Sequence, residues 1–364
     1  MPPPPMGPES LRTDCRSFKG WVPCAPHKEH GVHCTGADGA ACPHYDRVTE
    51  KILIIKLGAI GDVIRTTPIL HALGSRHGHA QIWWLTLPPE ILPARVDVRL
   101  PFTPQSIATL RAIRFDLLLN LDKDREACAL ASTLFAGVKK GFVMDNGVPA
   151  PADGDAVHKF MTGLFDDLNR ENTKSYPEEI FEICGFPFAG ERYILDPPAP
   201  GPWRLPPKKP VVGLNTGCGG RWTSRLWAEK NWIDLARRLR RRGVVPLLLG
   251  GEQEHEKNLR IAKKSGATYF GHFPLPEFIS LVDRCDLVVT AVTMAMHIAI
   301  GLNKKIILFN NIFNAAEFEL YGLGEILEPE FACDCFYAPT CPNDCMQYIR
   351  VPRVDAACKR LLAS

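Results

Sequence analysis

The sequence predicts an α/β protein in which two parallel-sheet units face each other across a cleft, preceded by a cysteine-rich extension. Three observations predict it. Short runs rich in Val, Ile and Leu, at residues 52–55, 115–121, 211–214, 244–249, 287–290 and 305–309, alternate with amphipathic stretches; strands buried on both faces with helices between them read this way. The proline-rich stretch 196–209 separates two halves that repeat the plan. A chain of 364 residues is also too long for one ordinary core. The divisions that follow are a Cys/His-rich extension (1–48), a first unit (49–195), a stiff linker (196–209), a second unit (210–330), and a cysteine-bearing tail with a C-terminal helix (331–364).

Composition narrows the class. Hydrophobic residues at 46% and charged residues at 23% describe a soluble globular protein, and a net charge of +3 is too small to argue for nucleic acid. The five arginines within 237–242 read as a solvated helix end whose cations complement the dipole. The other reading is contact with an anionic membrane face or an acidic acceptor. No run approaches the ~18 apolar residues of a spanning helix. The opening Met1-Pro-Pro-Pro-Pro-Met6 has neither a basic region nor an apolar core, so it reads as a short disordered lead. The expected location is cytoplasmic, with the inner membrane face as the peripheral site the arginines would serve. Thirteen cysteines in that setting favour thiols or metal ligands over disulfides.

The extension carries Cys15, Cys24, Cys34 and Cys42, interleaved with His27, His30, His33 and His44, and shows no pattern able to build a core. Such a segment needs a staple, for which a tetrahedral metal is the expectation and disulfides or free thiols the alternative.

Residues 51–73 organise the first unit. The strand at 52–55 runs into Gly58 and Gly61, then Asp62, then a helix expected to continue past Pro68 to Leu73. A dinucleotide site would want G-x-G-x-x-G and a ribose-binding acid after the next strand. Here an acid stands where the phosphate would go, and residues 81–87 end in Pro88-Pro89. An acid at the carboxyl edge of a parallel sheet suits a general base; the bland alternative is a helix N-cap. Further along come a helix over 126–135, a weak strand over 139–144, and helices over 155–169 and 177–184.

The second unit holds helices at 229–242, 252–264, 276–284 and 293–302 and three candidate ligand loops. Thr216, Gly217, Gly219 and Gly220, with Arg225, offer backbone amides and a guanidinium to a diphosphate. Gly250-Gly251-Glu252 offers a carboxylate to ribose hydroxyls. Thr293 and His297 sit at the start of a helix whose amides can face an anion. In each case an ordinary βα loop, a helix-start acid or a packed histidine is the competing account. In the tail, Cys333, Cys335, Cys341 and Cys345 form a compact group suited to zinc or iron, as a second site or one shared with the extension. Cys128, Cys184, Cys218, Cys285 and Cys358 read as small buried hydrophobes.

Together, residues 51–73, 217–227, Gly250-Gly251-Glu252, and Met296-His297-Ile298-Ala299 followed by 305–309 resemble the ordered motifs of glycosyltransferase family 9, which includes the heptosyltransferases of lipopolysaccharide core assembly. The resemblance covers residue 51 to the C-terminus. It implies two Rossmann-like domains in the GT-B arrangement and an inverting transfer from a nucleotide-diphosphate sugar, usually ADP-heptose, to a glycan or glycolipid hydroxyl, without a metal in the reaction. It makes Asp62 the base, puts Gly61 and Arg65 on the acceptor side, and gives the diphosphate to the loops just named. Two departures stand out: Arg225-Leu226-Trp227 replaces a lysine before Arg-Trp, and Val292 replaces the family's acid. Two other classes stay open: a metal- or redox-sensing protein on a transferase-like scaffold, and a nucleotide-dependent oxidoreductase or epimerase.

Overall fold

The computed structural model describes residues 7–35, 40–331 and 333–363; the lead, Met1 to Met6, lies outside them, as do residues 36–39 of the extension. In the first half, β1 (Glu50–Ile55), β2 (Ala80–Thr86), β3 (Val98–Pro101), β4 (Arg114–Asn120), β5 (Phe135–Asp145) and β6 (Val148–Pro151) form a sheet in the order β3-β2-β1-β4-β5-β6. Its neighbours are parallel apart from the β5–β6 hairpin. In the second half, β7 (Val211–Asn215), β8 (Val245–Leu249), β9 (Leu287–Ala291), β10 (Lys305–Phe309) and β11 (Gly324–Leu327) form an all-parallel sheet in the order β11-β10-β9-β7-β8. Ile52 to Ile55 and Leu287 to Val289 are fully buried, as strands covered on both faces must be.

The helices are α1 (Ala25–His30), α2 (Ile60–Ile64), α3 (Ile69–Arg76), α4 (Pro104–Arg111), α5 (Arg125–Thr133), α6 (Val157–Thr162), α7 (Asp166–Glu171), α8 (Tyr176–Ile183), α9 (Glu229–Arg241), α10 (His255–Ser265), α11 (Leu275–Asp283), α12 (Met294–Gly301) and α13 (Val351–Ala363). Two differ from expectation. The helix read through Pro68 is two, because a proline lacks the N–H to continue the ladder: α2 stops at Ile64 and Pro68 stands at the N-cap position of α3. The helix read over 155–169 is a 3-10 turn followed by α6 and α7, broken around Gly163. The weak strand at 139–144 is the longer β5, while α1, β3, α4, β6 and β11 had no counterpart in the reading.

The strand order changes direction at β1, between β2 and β4, and at β7, between β8 and β9. Open parallel sheets bind ligands beyond the carboxyl ends of the strands at such points. The loops after β1, β7 and β9 come together there, with α2 packed on α12. The arginine cluster behaves as a helix end: Arg238 pairs with Asp234 and Arg242 with Asp355, while Arg237 and Arg240 donate to the carbonyls of Lys264 and Ser265. Among the described residues no helix is long and apolar enough to cross a membrane. No described residue of 7–48 is buried; Arg16 fastens this extension to the first sheet through Asp97 (2.8 Å) and the Ala80 carbonyl (3.0 Å). Cys128, Cys184, Cys218, Cys285 and Cys358 are buried.

Candidate active site

The first wall of the cleft is built where β1 ends. Lys56 is buried and pairs with Asp122 Oδ1 at 2.8 Å, and Asp122 Oδ2 accepts from the amides of Leu57 (2.6 Å) and Gly58 (2.9 Å). The amides that a dinucleotide fold would offer to a phosphate are therefore taken by the chain's own carboxylate. Burial opposes the Lys56 charge, but Tyr176, Asp122 and Asp62 outweigh it and raise its pKa. Asp62 follows in the first turn of α2. The N-cap position is Ala59, so the reading of Asp62 as a cap falls. Its carboxylate pairs with Arg65 at 2.7 Å and keeps 32% of its side-chain surface exposed. Burial pushes its pKa up, yet Arg65 and Lys56 prevail and hold it at about 2. The Arg65 guanidinium lies 3.5 Å from the centre of the Tyr176 ring. Gly61 packs against the second half: a Cβ there would sit 2.5 Å from His297 Cδ2.

The second wall is built from the two loops at the β7/β9 switch point. Asn215 ties them together, donating to Gly217 O (3.2 Å), Thr290 Oγ1 (2.9 Å) and Thr293 Oγ1 (3.2 Å). Gly217 leaves room for Glu254, whose carboxyl carbon would lie 2.3 Å from a Cβ, and Gly219 adopts a left-handed φ of 74°. Arg225 donates to the carbonyls of Val292 and, at 2.9 Å, Cys218. Where the resemblance leads one to expect an acid, the Val292 backbone thus supplies an oxygen. Among the described residues no carboxylate pairs with Arg225, its buried Nε has no partner, and burial lowers its pKa. Thr293 occupies the N-cap position of α12, but its hydroxyl meets Thr290 and Asn215 and caps no helix amide. His297 is buried and stacked on Tyr193 at 6.0 Å, with an unpartnered Nδ1. Burial, aided by Arg65 and opposed by Asp62, pushes its pKa down to about 3.

A cleft of about 680 Å³ lies between the walls. It brings together Gly61, Asp62, Arg65, Gly217, Gly219, Arg225, Thr293 and His297. Thr216, Gly220 and Glu252 are not among its lining residues. Thr216 is buried, and its hydroxyl donates to Asn258 Oδ1 at 2.6 Å. Glu252 is exposed at the head of a 3-10 turn, and that turn delivers Glu254 to the cleft instead. The sequence reading also missed Asn215, Trp222, Glu317 and Tyr337 in the lining. Glu317 is buried and accepts from Tyr337 Oη at 2.7 Å and Asn169 at 3.1 Å. No local pattern marks Glu317 or Tyr337, because Glu317 sits on a short 3-10 turn after β10 and Tyr337 reaches it only when the tail folds back.

The sulfurs of Cys333, Cys335, Cys341 and Cys345 lie within 4.8 Å of one another, with Cys333–Cys341 at 3.6 Å and Cys335–Cys345 at 3.3 Å. Tetrahedral thiolates at the usual ~2.3 Å from zinc stand about 3.8 Å apart, so the four can hold a metal. Burial alone would push the Cys333 thiol up, but hydrogen bonds from Cys335, Asn343 and Cys341 bring it down to about 7; a soft cation bound by the four sulfurs would displace their remaining protons. Cys15, Cys24, Cys34 and Cys42 instead surround a separate cavity of about 170 Å³. They do not form a group whose ligand atoms meet this closely among the described residues. The two sets therefore do not share one site.

Residues 188–312 match the model of glycosyltransferase family 9 (heptosyltransferase). No curated protein matches this chain. Solved structures extend the likeness over both sheets. A family 9 glycosyltransferase from Veillonella parvula is 17% identical, with 87% of this chain and 98% of that one covered and a TM-score of 0.66. ADP-heptose lipopolysaccharide heptosyltransferase II from E. coli is 16% identical, covering 86% and 98%, at 0.61. TibC from E. coli, a dodecameric iron-containing heptosyltransferase solved with ADP-D-β-D-heptose, is 14% identical, covering 86% and 76%, at 0.56. The fold is that of these GT-B-like enzymes, and together with the family 9 match over residues 188–312 it supports a glycosyltransferase.

Proposed function

We propose that this chain is a family 9 glycosyltransferase that moves a heptose from ADP-heptose to a hydroxyl of a glycan or lipopolysaccharide-type acceptor, with Asp62 as the general base. One observation carries the reading. Asp62 on one wall faces a guanidinium on the other, Arg225, that no carboxylate of the described chain neutralises. A half-buried cation without an anionic partner is costly, and a diphosphate beside the amides of Gly217 and Gly219 would supply the partner. The neighbour solved with ADP-D-β-D-heptose supports the choice of donor.

In this reading the acceptor oxygen bonds to the anomeric carbon while the bond from that carbon to the diphosphate breaks, inverting the centre. The acceptor proton goes to Asp62 and ADP leaves. Its low pKa makes Asp62 a weak base at rest, so proton transfer follows late, once the forming bond has made the hydroxyl strongly acidic. Arg225 meets the charge growing on the leaving diphosphate. Glu254, beside Gly217 and Gly251, is placed for the ribose hydroxyls. Thr293 and the amides that open α12 serve the phosphates. Gly61 and Arg65 belong to the acceptor side, Gly61 also as one of the points where the halves touch. The cysteines of the tail lie outside the cleft lining, so a zinc or iron ion there would be structural. A cytoplasmic location follows from a nucleotide-sugar donor; the pairing within the arginine cluster lends a membrane contact no support.

The test is incubation of the purified chain with ADP-heptose and a lipopolysaccharide-core acceptor, reading ADP release, beside a thermal-shift screen of sugar nucleotides. The melting point should rise with ADP-heptose concentration by mass action. Stabilisation by none of the nucleotide sugars, with no ADP released, would leave the rival reading of a metal-responsive protein on this scaffold.

A further inference from the structure

The loop that carries Arg225 is held by the cysteine-bearing tail. Ser224 donates through Oγ to Ala338 O (2.8 Å) and through its amide to Pro339 O (3.0 Å), and Thr223 Oγ1 donates to Pro339 O (3.3 Å). Asn311 Nδ2 bridges the two, donating to Ser224 O (2.9 Å) and Cys345 Sγ (3.3 Å). On the other side of Arg225, Gln347 accepts from the Ala228 amide and donates to Leu226 O, each at 2.9 Å. Both flanks of the guanidinium are thus fixed by residues that lie between or beside Cys335, Cys341 and Cys345.

The core of residues 333–345 is small. The buried cluster beneath them consists of Ile312, Cys335 and Cys345, with Trp222, Phe313 and Ala338 partly buried against it. Tyr337 and Asp344 both stand at φ 45°, a left-handed conformation unfavourable for residues other than glycine. A segment with so small a core needs a covalent or metal staple to stay ordered.

We propose that the four thiolates, once loaded with zinc or iron, act as a positioning device for the nucleotide site. The metal orders residues 333–345, their carbonyls fix Ser224, and Ser224 fixes Arg225 against the diphosphate. Ser224 and Asn311 are the positioning residues. The inference rests on the donor reading above. Because coupling between two ligands is reciprocal, nucleotide must tighten metal binding by the factor by which metal tightens nucleotide.

The experiment uses the full chain under reducing conditions, with metal content measured by elemental analysis and ADP binding by calorimetry. Removing the metal with a chelator should weaken ADP binding by about tenfold or more, the scale of a misplaced charged hydrogen bond, and adding zinc or ferrous iron alone should restore it. Ser224→Ala should keep its metal yet bind ADP about three- to tenfold more weakly, the scale of one lost neutral hydrogen bond. A stripped chain that keeps its circular dichroism and binds ADP as the loaded chain does overturns the proposal and leaves the transferase reading intact. If the loaded chain binds no ADP, the donor reading fails and this inference with it. If the stripped chain unfolds, chelator competition with and without ADP decides, and an unchanged metal affinity rejects the coupling.

Discussion

The two βα turns that meet in the cleft begin from the same backbone plan and answer their charges differently. After β1, Asp122 fills the amides of Leu57 and Gly58 and neutralises Lys56, while Asp62 is paired with Arg65. After β7, Arg225 finds two carbonyls and no carboxylate among the described residues. The first turn has closed itself to phosphate and keeps a carboxylate at its mouth; the second has left a positive charge for something else to satisfy. Fold alone would have made them equivalent, and it is the internal pairing of ions that assigns base to one and anion to the other.

Four measurements would break or sharpen that contrast. Asp62→Asn should reduce turnover by about 10² to 10⁴ while ADP affinity holds, the usual contribution of a positioned base; near-normal turnover would remove the acid from the first wall's chemistry. Lys56→Met would strand the Asp122 carboxylate in the interior. It should cost about 3 to 5 kcal/mol in urea unfolding, and a negligible loss would show that the two amides suffice to hold that charge. Gly61→Ala pushes a methyl into the His297 ring and should cost about 1 to 3 kcal/mol, the range for overpacking, read as a lowered melting point.

The smallest effect is in pH. His297 stays neutral when folded down to about pH 3, whereas an unfolded imidazole takes up a proton below its ordinary value near 6.5. Stability from this group is therefore complete above pH 6.5 and declines on acidification toward 3, by about 1.4 kcal/mol per unit. Asp62, with its folded pKa near 2, contributes above the ordinary carboxylate value of about 3.8 and loses that only as pH falls through 2. Between about pH 7.5 and about pH 5 the urea midpoint should fall less in His297→Asn than in the parent, since the variant lacks this histidine's share of the pH dependence; an equal drop in variant and parent would mean that His297 is not the group responsible.

The paired sheets were legible because parallel strands announce themselves as unbroken apolar runs, as at Ile52 to Ile55 and Leu287 to Val289. The β5–β6 hairpin should have been read as well, since Asn146-Gly147 is a strong two-residue turn signal and both residues take the positive φ it requires. Pro68 showed the limit of a helical pattern, because apolar spacing continued through a residue that cannot donate. At the site, Asp62, Arg225 and His297 could be found from local motifs. Thr216 could not be rejected and Glu254 could not be preferred over Glu252 without knowing that Asn258 captures the threonine hydroxyl and that a 3-10 turn rotates the acids. Cysteine spacing likewise offered both sets as metal sites. Only the return of the tail over Ile312 separates them.

Gly61 and His297 meet one position away from the acid, so the seam between the halves and the seat of the Asp62 carboxylate are nearly the same place. Whatever tightens or loosens that seam is registered first at the carboxylate.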